Sequence, residues 1–118
     1  MEQQTEIALE TIGSITLFDI KGDVTALSES FLNDAYQKAL DQGVSKILLK
    51  FKKDAYINSG GIALLIQILA ESKKNNQQTK ITGLSDHFKK IFNMVGITKF
   101  ADIHDSVEAA VEAMSGPS

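Results

Sequence analysis

The sequence predicts an α/β fold: a single domain with a mainly parallel, mixed sheet, an antiparallel edge and about four helices. Three observations carry this. Apolar residues recur first at every second position and then with helical spacing, in the order β-β-α-β-α-β-α-β-α. Strand-helix alternation after an opening hairpin implies helical crossovers, and these join parallel strands. The 118 residues suffice for one such domain and hardly two.

The elements follow in order. Thr5 to Leu9 and Ser14 to Lys21 read as strands, punctuated by Gly13 and Gly22. From Leu27 to Gln42 the period turns helical, with Leu32, Ala35, Tyr36, Ala39 and Leu40 on one stripe. Ser28 or Thr25 suits its N-cap, and Gly43 its C-terminal stop. Lys46 to Lys52 is a strand: Ile47, Leu49 and Phe51 alternate with Lys46, Lys50 and Lys52, and Leu48 interrupts the polar side. That polar side predicts limited cover and a solvated row of Lys rather than an anion site.

Ile62 to Lys74 predicts a helix that is apolar nearly all round in its first half. Ile62, Leu65, Ile66 and Leu69 form one stripe; Leu64 and Ile68 form a second. Thr79 to Leu84 is a short strand. Ser85 caps a helix whose core stripe is Phe88, Ile91, Phe92 and Val95, ended by Gly96. Phe100 to Ile103 is the last strand. Asp105 to Glu108 has capping-box spacing with Asp105 as cap, and Val107, Ala110, Val111 and Met114 form the final stripe. Residues 5–114 thus read as one unit. Residues 115–118 read as a flexible tail that holds the sole Pro, Pro117.

Composition excludes several functions. Apolar residues make up 43% and charged residues 23%, as in ordinary globular domains. The absence of Cys removes disulfides, Cys-ligated zinc and thiol chemistry. The net charge is −3, and all 12 basic residues are Lys. An acidic chain without Arg argues against nucleic acid and lacks the usual bidentate anchor for phosphate. No segment reaches the ~18 uninterrupted apolar residues of a membrane span. The polar start, Met1-Glu2-Gln3-Gln4, does not resemble a signal peptide, so the expected location is cytoplasmic. No His/Asp/Glu cluster has metal-ligand spacing, and no cofactor is expected.

The stretch Asp54-Ala55-Tyr56-Ile57-Asn58-Ser59-Gly60-Gly61-Ile62 bridges the end of a strand and the start of a helix. Ligands and partners of open α/β sheets gather at such junctions. On residue types alone, Asn58 and Ser59 are plain helix caps. Gly60-Gly61 lacks the Lys and the spacing of a phosphate loop. Ser59 lacks a nucleophile elbow, and neither His87 nor His104 has a spacing that places it beside Ser59. A small hydrolase is the enzymatic alternative, and it requires one of those His residues at the hydroxyl.

Three segments carry a family resemblance: Lys21-Gly22-Asp23-Val24, then Ile57-Asn58-Ser59-Gly60-Gly61-Ile62, then Phe88-Lys89-Lys90-Ile91-Phe92-Asn93-Met94-Val95-Gly96-Ile97. In this combination and order, the chain from Thr5 to Met114 resembles a STAS domain of the bacterial anti-sigma factor antagonist type. The resemblance implies that Ser59 is a phosphoacceptor. It implies an anti-sigma factor with serine-kinase activity as partner and a PP2C-type phosphatase that removes the phosphate. The unphosphorylated form would bind the anti-sigma factor and free a sigma factor, with no catalysis by this chain. Asn58 stands where the family has Asp, and Gly60 where Ser, Thr or Ala is common; both changes lower charge or bulk beside Ser59. The expected contact surface is Asn58, Ser59, Gly60, Gly61 and Ile62. Leu64, Ile68 and Met94 would add apolar anchors where exposed. The same resemblance also admits a STAS subunit making constitutive contacts in a transporter or a stressosome-like assembly.

Overall fold

A computed structural model describes residues 4–115. The start and the end of the expected tail, residues 1–3 and 116–118, lie outside the described residues. Five strands form one mixed sheet in chain order: β1 (Glu6–Ile12), β2 (Ile15–Lys21), β3 (Lys46–Lys50), β4 (Gln78–Thr82) and β5 (Asp102–His104). β1 and β2 are an antiparallel hairpin; β2 to β5 are parallel. Four helices accompany them: α1 (Glu29–Asp41), α2 (Ser59–Lys74), α3 (Asp86–Met94) and α4 (Val107–Ser115).

The layers follow from connectivity. β2-α1-β3, β3-α2-β4 and β4-α3-β5 each step to the next parallel strand in one direction. Crossovers of one hand must then lie on one face. Leu32, Ala39, Leu65, Leu69 and Phe92 of α1, α2 and α3 accordingly share a core with Phe18, Ile20, Ile47, Leu49 and Ile81. Each buried Leu, Ile or Phe side chain among them contributes about 1.5–3 kcal/mol. α4 follows the last strand and is free to cross to the other face. There Ala110 and Met114 cover Ile15, Leu17 and Leu48. Leu48 interrupts the Lys row because its side chain is the one of that row on β3 buried under α4. Lys46 is not merely solvated: its Nζ donates to the Met114 carbonyl at 2.7 Å, at the C-terminal end of α4.

Several boundaries differ from expectation. β1 runs to Ile12 because the hairpin turn is as tight as Gly13-Ser14 allows. The first helix begins with a 3-10 turn, Ala26–Ser28, capped by Thr25, whose side chain accepts from the Leu27 N–H. Ser28 does not cap α1; its hydroxyl is buried against Thr5 and the Thr25 N–H. α2 starts at Ser59 rather than Ile62, because Asn58 caps it. α4 is capped by Ser106, which accepts from the Ala109 N–H at 3.0 Å. Asp105 is instead drawn to Lys89, 2.7 Å away. Val95 is exposed rather than in the α3 core stripe, because α3 ends at Met94 and the chain turns at Gly96.

Candidate functional site at the head of α2

In this fold the C-terminal edge of the parallel strands carries the β2-α1 and β3-α2 loops, and the two loops are stitched together. Val24 and Ile57 form an isolated parallel bridge. The Val24 N–H donates to the Tyr56 carbonyl at 2.9 Å, and the Asn58 N–H donates to the Val24 carbonyl at 3.1 Å. A buried hydroxyl bolt fixes the first loop from below: Thr5 Oγ1 donates to the Asp23 carbonyl and hydrogen-bonds Ser28. Buried polar groups persist only when paired, and these are paired with one another.

On this platform Asn58, in extended backbone, turns its Oδ1 to the Gly61 N–H at 2.9 Å and starts α2. Gly60 and Gly61 allow the helix to approach the first loop. A Cβ on Gly61 would lie 2.1 Å from the Val24 carbonyl oxygen; one on Gly60 would lie 3.0 Å from Ala26. Gly61 is buried, and Gly60 and Asn58 are half-buried. Ser59, the first helical residue, is exposed. Its N–H and that of Gly60 precede the first intrahelical acceptor, so positive potential gathers at its hydroxyl.

The faces of α2 correct the expected stripes. Gly61, Leu64, Leu65, Ile68, Leu69 and Ser72 are the buried set. The core face is rotated by roughly a quarter turn from the stripe centred on Ile62 and Ile66. Leu64 and Ile68, 8% and 7% exposed, belong to the core and offer no surface anchor. Ile62 and Ile66 are half-buried, and Ala63 and Ala70 are exposed. These lie with Ser59 on the outer face, at i+3, i+4, i+7 and i+11. From Ser59 to Ala70 the outer face thus carries no charge and is apolar except for the exposed Gln67. Leu27, 78% exposed, follows Ala26 in the turn that abuts Gly60, and Tyr56 is exposed on the adjoining loop.

Met94 is 83% exposed. It ends α3, which runs back from the C-terminal strand edge, so it lies at the opposite end of the layer from Ser59. Among the described residues neither His hydrogen-bonds Ser59: His87 stands edge-on to Phe88, and His104 is on β5 with Nε2 buried and unpartnered. No group of His, Cys, Asp or Glu among the described residues suits a metal ion, and no described helix is long and apolar enough to cross a membrane.

Sheet order, the helices and the capped α2 junction define a STAS-type α/β domain. The STAS domain family model matches residues 6–110, and the chain belongs to that family. Solved structures share the fold at low identity. An anti-sigma factor antagonist from Mycobacterium paratuberculosis matches with a TM-score of 0.79 and 11% identity, over 96% of each chain. The anti-sigma factor antagonist SpoIIAA in its unphosphorylated form matches at 0.72 and 18% identity, over 95% of this chain and 100% of that one. The Bacillus cell-fate determinant SpoIIAA in its phosphorylated form matches at 0.69 and 17% identity, over 92% and 99%.

Proposed function

We propose that this chain is an anti-sigma factor antagonist: a binding module, without catalysis of its own, switched by phosphorylation of Ser59. The observation that carries the reading is the exposed Ser59 hydroxyl at the head of an uncharged, largely apolar helix face. A partner that covers Ile62, Ala63 and Ile66 must also cover Ser59. Phosphate adds −1.5 to about −2 charge at neutral pH. At a helix N-terminus that charge is welcome, by about 0.3–1 kcal/mol. Under a partner it must be desolvated, at a cost of several kcal/mol, and every ~1.4 kcal/mol is tenfold in affinity. The switch therefore acts on the partner and leaves the fold alone.

That SpoIIAA, a protein of the same fold, has a phosphorylated and an unphosphorylated form supports the reading. The partner is then an anti-sigma factor with serine-kinase activity, opposed by a PP2C-type phosphatase, in the cytoplasm. Asn58 keeps the cap while removing a carboxylate beside the phosphate.

The test incubates the chain with ATP and the purified anti-sigma factor kinase, and maps phosphate by mass spectrometry. The expected result is one phosphate on Ser59, absent from Ser59→Ala. The unmodified chain binds the kinase, and Ala63→Lys, at an exposed position of the same face, weakens binding at least tenfold without changing the melting temperature. Phosphate elsewhere, or full binding by Ala63→Lys, contradicts the reading.

A further inference from the structure

The two edges of the sheet are built differently. β5 is three residues long, and two of them are Asp102 and His104. Short, charged edges resist pairing with another chain. β1 keeps only part of this protection, the carboxylates of Glu6 and Glu10. It has seven residues, holds neither Lys nor Pro, and pairs with β2 at every position without a bulge. Among the described residues no strand lies on its outer side. Along that side alternate N–H and C=O groups of Glu6 to Ile12 face outward, a ready template for another strand.

The sequence of β1 selects its own partner. In a two-fold antiparallel pairing that continues the sheet, residues of one parity face each other. Centring on Ala8 sets Glu6 against Glu10, and centring on Glu10 sets that residue against itself. Centring on Leu9 uses the whole strand. It sets Leu9 against Leu9, Ile7 against Thr11, Ala8 against Glu10 and Glu6 against Ile12, with no two carboxylates directly opposed. The geometry points to a second copy of this chain as the occupant of the β1 edge. Pairing in the Leu9-centred register joins two five-stranded sheets into one. The strands run in opposite directions across the two-fold axis, so the two Ser59 sites fall at opposite ends of the joined sheet. Dimerisation leaves both free and stands independently of what binds them. A seven-residue strand pair is a small interface, so the dimer is weak and forms at high protein concentration.

Sedimentation equilibrium from low micromolar to millimolar protein tests this. The wild type moves from monomer towards twice the monomer mass. Ala8 is exposed and faces Glu10 of the second copy, so changing it probes the register without touching the core. Ala8→Glu sets two carboxylate pairs in opposition and weakens the dimer about tenfold. Ala8→Lys sets opposite charges there and tightens it severalfold. Thermal melting of both variants in dilute solution, where the chain is monomeric, confirms that the monomer stays folded. A wild type that remains monomeric throughout overturns the proposal. So does a dimer that the two substitutions leave unchanged or shift in the same direction.

Discussion

Two residues set the geometry of Ser59. Asn58 supplies the cap, so Asn58→Ala should cost ~1 kcal/mol, while Asn58→Asp keeps the hydrogen bond and adds a favourable charge at the helix start. Gly61 supplies the close approach. Gly61→Ala must push the Val24 carbonyl away from 2.1 Å, so it should cost about 2 kcal/mol or more and lower the melting temperature by about 10 °C. Gly60→Ala meets Ala26 at 3.0 Å, and the helical gain of Ala over Gly offsets much of that contact. Melting curves of the two variants should therefore differ clearly, with Gly61→Ala the worse. The cap at Asn58 and the place of Ser59 beside it were legible in the sequence, because a capping residue before an apolar run has a local cause. Leu27 and Tyr56 were not. They reach the site through the Val24–Ile57 bridge, a long-range contact that no local pattern encodes.

At the scale of elements, α2 shows where periodicity runs out. A helix that is apolar on every side does not announce which side faces inward. Burial of Gly61 and Ser72 decides it: Gly61 sits where the helix meets the Val24 backbone, Ser72 hydrogen-bonds the Thr79 hydroxyl, and Ile62 and Ile66 are left half-buried at the margin. The short edge strand β5 is held differently, by charge. Lys80 donates to Asp102 at 2.7 Å and holds its carboxyl below the usual carboxylate range. A carboxyl with a lowered folded-state pKa stabilises the fold above its unfolded value, here 3.8, and that contribution is lost as pH falls through the folded value. Lys89 lowers Asp105 in the same direction. Asp102 is largely exposed, so its share is at most ~1 kcal/mol. Amide exchange in β5 should accelerate, relative to β3, as the pH drops below about 4. Asp102→Asn should remove most of that pH dependence, and an unchanged profile in this variant would show that the pair does not hold the edge.

At the scale of the whole molecule, strand-helix alternation was enough to read the fold, because each crossover here joins neighbouring strands. Sheet order therefore equals chain order, and no long-range pairing had to be guessed. The lone position of α4 was foreshadowed by the polar side of β3, which needs little cover beyond Leu48. The division of labour follows from this architecture. Three helices and the sheet make a rigid core, and the edge above it displays Ser59 at the head of a largely apolar face. A phosphate there changes charge at a surface while the core beneath is untouched. The most direct test sets Ser59→Asp beside the wild type in two measurements: thermal melting, and affinity for the purified anti-sigma factor. The account predicts melting within about 2 °C of wild type and affinity lowered at least tenfold. A folded Ser59→Asp protein that binds as tightly as wild type would contradict it.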